Sequence, residues 1–394
     1  MLVKSYNLND AQQCALVSTP VPPSGQTPTY LHDGEFSQSI VCWQASHGRD
    51  GLPWQNTRDP YRVWLSEIML QQTQVSTVLT YYARFLARFP TVGDLAAADT
   101  DEVMALWAGL GYYSRARNLH RCAQDVVALH GGAFPRTAAM LQTLPGIGRS
   151  TAAAVASFCF AERVAILDGN VKRVLTRVLA FGDDLAQGAS ERRLWDIATS
   201  LLPTHNLVNT MPRYTQGVMD LGATLCTTRA PQCLLCPVKA LCAGLATGDP
   251  VRFPVKTKKL KRSALGLSLL WAERPDGAVW LEKRPAKGIW GGLYCLPVFD
   301  SDALLAAALP DAWRSALQNL PHFLHVLTHK DLYLAPWLLK VPAHQTLPPT
   351  TFSPEQLLSG HLSPPLGRWC NAVEQTALGL PAPIRKLLDR SAAT

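Results

Sequence analysis

Residues 223–242 read ATLCTTRAPQCLLCPVKALC and hold four of the ten cysteines of the chain. These four follow the spacing C-x6-C-x2-C-x5-C, at Cys226, Cys233, Cys236 and Cys242. Sulfurs so close in sequence can converge on one point, where their thiolates repel one another unless a cation or an iron–sulfur core holds them. The stretch therefore predicts a cysteine-ligated site around which the neighbouring chain is organised.

Two other interpretations of the cysteines compete with an iron–sulfur site. Local disulfides require an oxidising compartment, and the sequence shows no signal peptide. A structural zinc site with four cysteine ligands is the stronger rival, but zinc sites usually pair two distant C-x2-C motifs. Only one close pair exists here, so we favour a [4Fe-4S] cluster.

Length and composition limit the number of domains and the class of protein. The 394 residues suffice for two or three domains, and 47% hydrophobic with 17% charged residues is typical of a soluble globular protein. A net charge of +8 and a pI near 9.0 favour an anionic partner. No stretch approaches the roughly 18 apolar residues of a membrane span, so we expect a soluble intracellular protein without a membrane partner.

The residue pattern divides the chain into four parts. Residues 1–36 are polar and rich in proline, which predicts a poorly ordered extension. Residues 37–245 place apolar side chains at helical steps between Gly/Pro turns. Residues 246–263 are basic and typical of a linker, and residues 264–394 change to the period of strands, beginning with a hairpin at Pro275-Asp276-Gly277.

A carboxylate stands out in the predicted helix YRVWLSEIMLQQTQV, which Asp59-Pro60 should cap. Glu67 lies among apolar neighbours, where desolvation would raise its pKa toward values useful to a general acid. The alternative is that Glu67 lies on the polar stripe of an amphipathic helix. The next polar residues, Gln71, Gln72 and Thr73, offer groups that can hydrogen-bond base edges.

Two turns have the composition of DNA contacts. Residues 109–118, GLGYYSRARN, combine an apolar tip at Leu110 and Tyr112 with a basic flank, which suits a wedge into stacked bases or an ordinary helix–helix turn. Residues 144–152, LPGIGRSTA, indicate a helix-hairpin-helix turn. There Gly146 and Gly148 let a phosphate approach the N–H groups at the start of a helix.

The stretch ILDGNVKRV, residues 166–174, places Asp168 as a helix N-cap. An aspartate held against a helix N-terminus stays ionised at neutral pH and would stabilise a cation at a neighbouring site.

Together these motifs resemble those of the MutY-type adenine DNA glycosylases, over about residues 37–390. The resemblance implies a mainly α part, 37–245, with a six-helix barrel module, the helix-hairpin-helix and an iron–sulfur module whose loop is 226–242. A linker at 246–263 would join it to an α+β Nudix-like domain at 264–394, preceded by the extension 1–36.

What the resemblance implies about function is a monofunctional base-excision glycosylase. It would hydrolyse the N-glycosidic bond of adenine mispaired with 8-oxoguanine or guanine, with Glu67 protonating adenine N7 and Asp168, oriented by Asn170, stabilising the sugar cation. Ser150 occupies the position of the nucleophilic lysine of endonuclease III, so no Schiff base is expected. Further residues near the adenine pocket would be Arg49, Trp54 and Gln216.

The C-terminal part resembles a Nudix domain that reads 8-oxoguanine rather than one that hydrolyses nucleotides. Residues 303–320 contain no glutamate, whereas a Nudix hydrolase needs a glutamate-rich metal-binding helix. The usual Phe-Ser-His loop is replaced by Leu327-Thr328-His329. Thr328 and His329 keep the hydroxyl and the imidazole, and Leu327 departs from the family aromatic.

Two alternatives remain open from the sequence. One is an endonuclease III-like glycosylase and lyase acting on oxidised pyrimidines. The other is a non-catalytic DNA-binding relative, although loss of Glu67 or Asp168 would have marked it and both are present. The resemblance further implies a monomer that binds double-stranded DNA in the cytoplasm of a bacterial-type cell, at the nucleoid.

Overall fold

The computed structural model describes residues 34–257, 261–342 and 367–391. They form two compact units. The first holds residues 34–72 and 125–257, and the second holds residues 73–124 with 261–342 and 367–391. Residues 73–124, expected inside the helical domain 37–245, thus share a unit with the strand-rich residues, and the division at the linker stays a prediction. Most of the expected extension lies outside the described residues.

Residues 34–257 are mainly helical, and the periodicity of residues 37–245 predicts this. Its helices are α1 (Glu35–His47), α2 (Pro60–Leu70), α3 (Val75–Arg88), α4 (Val92–Ala97), α5 (Thr100–Trp107), α6 (Ser114–His130), α7 (Ala138–Leu141), α8 (Arg149–Phe160), α9 (Gly169–Val178), α10 (Gly188–Ser200), α11 (Leu207–Thr224) and α12 (Ala243–Ala246). Three short 3-10 turns follow α11, at Cys233–Leu235, Lys239–Leu241 and Pro250–Arg252.

The core of the first unit forms where α1, α9, α10 and α11 bury their apolar faces against one another. The helices approach closely because small residues stand at their contacts. A Cβ added at Gly222 of α11 would lie 2.8 Å from the Cβ of Asn170 in α9. The glycine therefore keeps the start of α9, where Asp168 is the N-cap, tightly against α11.

The second unit is built on an eight-stranded mixed sheet. Its strands are β1 (Ser263–Glu273), β2 (Val279–Lys283), β3 (Tyr294–Cys295), β4 (Val298–Phe299), β5 (Gln318–Asn319), β6 (Phe323–Val326), β7 (Lys330–Lys340) and β8 (Gly367–Cys370). The helices added here are α13 (Asp302–Ala307), α14 (Asp311–Arg314), α15 (Ala372–Ala377) and α16 (Ala382–Ser391). The antiparallel pairing of β1 and β2 confirms the predicted hairpin.

The centre of the sheet is a parallel pair. Strands β1 and β7 pair along their whole lengths, from Ser263 with Lys330 to Glu273 with Lys340. The helical residues of this unit join the sheet through polar contacts: Asp101 forms an ion pair with Lys283 and accepts a 3.2 Å hydrogen bond from the Tyr294 hydroxyl. Helix α5 is therefore tied to the strands by side chains remote in sequence.

A helical first part and a mixed α+β C-terminal part confirm the predicted fold class. Across the described ranges, no helix is both long and apolar enough to cross a membrane.

Candidate functional site

Glu67 lies in α2, which begins as the sequence predicts. The Asp59 carboxylate caps the helix by accepting from the backbone N–H of Tyr61 at 2.9 Å, and Pro60 follows it. Ser66 and Ile68 beside Glu67 are buried, and Glu67 itself is partly buried. Burial first, and the nearby charge of Asp168 second, raise the pKa of Glu67 from 4.5 to about 8. A carboxyl with this pKa can hold a proton at neutral pH.

Asp168 is the N-cap of α9, as predicted, and its Oδ1 accepts from the backbone N–H of Val171 at 2.7 Å. Its pKa is nevertheless raised, because burial outweighs the N–H groups of Val171 and Asn170 and the charges of Arg173 and Lys172. The helix terminus, which is the local feature visible in the sequence, lowers the pKa of Asp168. Tertiary burial acts in the opposite direction and is the larger effect.

Asn170 contacts Asp168 through its backbone rather than its side chain. The side-chain Oδ1 of Asn170 instead accepts from Arg173 Nη2 at 2.9 Å. Ser150 supports the same region from α8, since its Oγ accepts from the backbone N–H of Leu167 at 3.2 Å. The serine therefore pins the residue that precedes Asp168.

The predicted hairpin turn lies between α7 and α8. Gly146 has φ 77, a left-handed conformation that glycine adopts without strain, and Gly148 is the N-cap of α8. A Cβ at Gly148 would meet nothing within 4 Å, so the backbone is open there. The guanidinium of Arg149 lies 3.9 Å from the ring centroid of Trp195, which fixes the first helical residue after the turn.

Arg49 and Gln216, predicted near the adenine pocket, are joined by a residue that the sequence analysis missed. Asp220 of α11 is fully buried, and its carboxylate accepts from Arg49 Nε at 2.7 Å and from Gln216 Nε2 at 2.8 Å. The signal that revealed Glu67, a carboxylate among apolar helix residues, was present here too. Trp54 is buried in the same unit, with 7% of its surface exposed.

The residues after α2 are held in a tight turn. The Gln71 amide donates to Thr151 Oγ1 at 3.3 Å, which ties the end of α2 to α8. Gln72 has φ 57, an unfavourable conformation for a residue other than glycine. Such strain persists where the surroundings enforce it, and it is common at binding sites.

In the second unit, hydrogen bonds from Arg115 stabilise the turn between α5 and α6. The guanidinium is buried and donates from Nη2 to the carbonyls of Leu110 and Gly111 and to Thr73 Oγ1, each at 3.2 Å. Leu110 is only 6% exposed and therefore packs inward, whereas Tyr112 is 37% exposed with φ 49. Of the two predicted wedge residues, Tyr112 alone faces outward.

Thr328 and His329 form the turn between β6 and β7. The Thr328 hydroxyl shares a short hydrogen bond with the hydroxyl of Tyr112, and its carbonyl accepts from Arg262 Nη1 at 3.1 Å. The His329 side chain is exposed, and its carbonyl accepts from the backbone N–H of Ser263 at 3.1 Å. Both residues are thus on a loop anchored to the start of β1.

The four clustered cysteines line one cavity in the first unit, together with Arg177, Lys239 and apolar residues. None of the four forms a disulfide, so that interpretation is wrong. Burial raises the pKa of Cys236 to about 12 and that of Cys242 to about 11, with the neighbouring thiols adding to both shifts.

The donor set suits an iron–sulfur cluster, since four soft sulfur ligands line one cavity. Within the described residues, the side chains as they stand form no group of three or more His, Cys, Asp or Glu with metal-ligating geometry. Metal binding would therefore need the thiols to lose their protons and to converge.

Known proteins match both the helical part and the C-terminal part of the chain. The model of the HhH-GPD superfamily base excision DNA repair proteins matches residues 65–199, and the NUDIX domain model matches residues 269–390. An adenine DNA glycosylase of Buchnera aphidicola subsp. Acyrthosiphon pisum is 34% identical over 356 residues, covering 90% of this chain and 97% of that protein. The adenine DNA glycosylase of Homo sapiens is 45% identical over 216 residues, covering 52% of this chain and 39% of that protein.

Solved structures also match parts of this chain. A thermostable thymine-DNA glycosylase is 28% identical, with a TM-score of 0.48, and the match covers 56% of this chain and 99% of that one.

Proposed function

Because the chain belongs to the adenine DNA glycosylase family of the HhH-GPD superfamily, we propose that its substrate is adenine mispaired with 8-oxoguanine or guanine in duplex DNA. The enzyme is a base-excision hydrolase of N-glycosyl bonds. In the proposal it acts as a monomer on chromosomal DNA, at the nucleoid in the bacterial cytoplasm, and releases the base without cutting the strand.

Glu67 is the proposed general acid. Its pKa of about 8 keeps the carboxyl protonated at neutral pH, which supports transfer of that proton to N7 of the extrahelical adenine. Protonation makes the base a neutral leaving group, and general acid catalysis of this kind contributes about 10² to 10⁴ in rate.

Asp168 is the proposed stabiliser of the sugar cation. Loss of adenine leaves positive charge on the deoxyribose, and a carboxylate close to Glu67 can stabilise that charge until water adds. Asn170 and Ser150 position it, through a backbone N–H and through the residue before it. With a serine at position 150 and no amine to form a Schiff base, strand cleavage is expected only after alkaline treatment.

Adenine must leave the stack, at an unstacking cost of a few kcal/mol that is least for a mispaired base. The strained turn at Gln72 and the outward-facing Tyr112 are suited to filling or wedging the stack. The hairpin at Gly146 and Gly148 is suited to phosphate. Arg49, Trp54 and Gln216 would contact the extruded base, with Asp220 holding the first and last of them.

The opposite base is the proposed ligand of the β6–β7 loop. The Thr328 hydroxyl and the exposed His329 imidazole can both hydrogen-bond a purine edge. Leu327 provides no aromatic ring to stack on the base, so we expect weaker discrimination between 8-oxoguanine and guanine than an aromatic residue would allow.

Cys226, Cys233, Cys236 and Cys242 would hold a [4Fe-4S] cluster. With every ligand position taken by cysteine, the cluster would supply a structural cross-link rather than an open coordination site. Arg229 and Lys239 are exposed on the same loop, where they would meet DNA phosphates.

The observation that carries this proposal is the raised pKa of Glu67 beside Asp168. We would measure single-turnover base release from duplexes with adenine opposite 8-oxoguanine, adenine opposite guanine, and an oxidised pyrimidine. Wild type, Glu67→Gln and the control Glu102→Gln, whose carboxylate pairs with Arg88, would be compared, each with and without alkali.

The expected result is adenine release by wild type and Glu102→Gln, nicks only after alkali, and a rate about 10² to 10⁴ lower for Glu67→Gln. Strand nicking at the oxidised pyrimidine without alkali would overturn the proposal and indicate an endonuclease III-like activity. If the wild type binds the duplex tightly and releases no base, the protein is a non-catalytic DNA-binding relative.

A further inference from the structure

Arg177 of α9 has no role in the proposed base-release chemistry, yet it is one of the most deeply buried side chains, with 2% exposure. All of the hydrogen bonds of its guanidinium are directed at the cysteine stretch and the segment after it. Nη1 donates to Cys226 Sγ at 3.4 Å and to the Thr227 carbonyl at 2.6 Å. Nη2 donates to the Thr228 carbonyl at 2.9 Å, and Nε to the Phe253 carbonyl at 3.2 Å.

Among the described residues, no carboxylate pairs with this guanidinium. Its acceptors are three neutral carbonyls and one sulfur. No carboxylate is found among the described residues that line the cysteine cavity. Burial of an unpaired cation is strongly unfavourable, and neutral thiols would not offset it. Four thiolates around a cluster would offset the cost of burying this cation, because the ligated cluster carries net negative charge.

The backbone of Arg177 is also packed against the last cysteine of the stretch. The Arg177 carbonyl lies 3.6 Å from Cys242 Sγ. A Cβ added at Gly244 would lie 2.3 Å from that same oxygen, so the chain after Cys242 passes directly over it. One residue therefore contacts both the first and the last cysteine of the site.

We propose that Arg177 is a positioning residue for the cluster: its guanidinium is the internal counter-cation of the four thiolates, orients Cys226 and raises the reduction potential. This inference rests on the cluster of the proposed function. Hydrogen bonds to the sulfurs and nearby charge set the potential of such clusters. An N–H···S bond and a positive charge favour the reduced, more negative state, so their loss makes reduction harder.

The test compares the full-length wild type with Arg177→Met and Arg177→Lys, each with its cluster bound. Methionine removes the charge and all four hydrogen bonds. Lysine keeps the charge but cannot span the four acceptors. Arg163→Lys is the matched control, because Arg163 donates to the carbonyls of Leu202 and Pro203 and to no sulfur. The measured quantities are the midpoint potential of the cluster and the rate of iron release to a chelator.

We expect Arg177→Met to have a more negative midpoint potential and to release iron several-fold faster than wild type. Arg177→Lys should fall between them, and Arg163→Lys should match wild type. If both Arg177 variants keep the wild-type potential and iron-release rate, the inference is overturned. If Arg177→Met does not fold, Arg177→Lys decides the question by the same two measurements.

Metal analysis of the wild type separates this inference from the proposal beneath it. About four iron atoms and matching sulfide per chain support the cluster. Zinc, or no metal, overturns the cluster and the role of Arg177 together. A bound cluster that is insensitive to position 177 overturns the role of Arg177 alone.

Discussion

The hydroxyl groups of Tyr112 and Thr328 share a hydrogen bond across 216 positions of the chain. Tyr112 has a left-handed backbone, with φ 49, and Arg115 lies under its ring and its loop. The bond ties the outward-facing aromatic of the α5–α6 turn to the β6–β7 loop inside one compact unit. A side chain proposed to wedge the stack is thereby connected to one proposed to read the opposite base.

Removal of the Thr328 hydroxyl should reduce discrimination between 8-oxoguanine and guanine. Thr328→Val keeps the shape and deletes the donor, so Tyr112 loses its partner and the loop loses a group for the purine edge. A hydrogen bond contributes about 0.5–1.5 kcal/mol, which predicts a roughly two- to tenfold fall in the ratio of single-turnover rates on the two duplexes. Thr328→Ser should stay near wild type.

A double-mutant cycle with Tyr112→Phe tests whether the two hydroxyls act together. The effects on duplex affinity of Tyr112→Phe and Thr328→Val should be less than additive, because either change breaks the same bond. Strict additivity would show that the two side chains act independently.

The rate of base release should depend on the protonation of Glu67. With a pKa of about 8, a general acid gives a rate that is level below that pH and falls tenfold per unit above it. Asp168→Asn removes a charge that raises this pKa, so its slower reaction should lose activity at lower pH. Single-turnover pH profiles measure both, and a profile unchanged in shape by Asp168→Asn would contradict the coupling.

The free energy of unfolding should also depend on pH through the protonation of Glu67. Between 4.5, the ordinary pKa of a glutamate, and about 8, the pKa of Glu67 in the folded protein, the native state binds one more proton than the unfolded chain. This contribution is complete below pH 4.5 and is lost as the pH rises toward 8. In urea unfolding, Glu67→Gln should gain stability relative to wild type at pH 8 and little at pH 4.5. Equal differences at both pH values would count against the raised pKa.

Asp168 combines a structural and a proposed catalytic role that substitution can separate. Serine is also a good N-cap, so Asp168→Ser should keep the stability of the protein while losing the carboxylate and most of the base release. Asp168→Ala loses the cap as well, which costs about 1 kcal/mol. Unfolding and single-turnover rates on the same samples are the measurements. Full activity in Asp168→Ser would remove the carboxylate from the mechanism.

Asp220→Asn should impair the proposed adenine pocket and leave the proposed acid, Glu67, unchanged. The buried carboxylate holds Arg49 through Nε and through Nη2 at 2.7 Å, and its neutralisation leaves that guanidinium without its counter-charge. We expect a roughly 10-fold or larger loss in base release, since a hydrogen bond to a charged group contributes about 1.5–3 kcal/mol. Duplex affinity should be retained. Asp196→Asn, exposed on α10, is the control, and equal effects of the two variants would contradict the role of Asp220.

Local signals in the chain were sufficient for much of this molecule. Helix caps act within three or four residues, so Asp59-Pro60 and Asp168 marked the starts of α2 and α9 correctly. The change from helical to alternating periodicity placed the sheet, and the Pro-Asp-Gly turn placed its first hairpin. Glu67 was detectable because one carboxylate interrupts an apolar helix face, and the four cysteines were detectable from their spacing.

Tertiary packing decided what local patterns could not. Burial depends on residues distant in sequence, so the pKa of Asp168 rises although its own helix terminus lowers it. The side chain of Leu110 is buried although the residue lies in a turn, and the role of Asp220 becomes visible only once Arg49 and Gln216 donate to its carboxylate. The bonds of Arg177 to Cys226 and of Tyr112 to Thr328 join segments 49 and 216 residues apart. Spacing along a chain specifies neighbours within a helix or a turn, whereas contacts at such separations exist only once the whole core has packed.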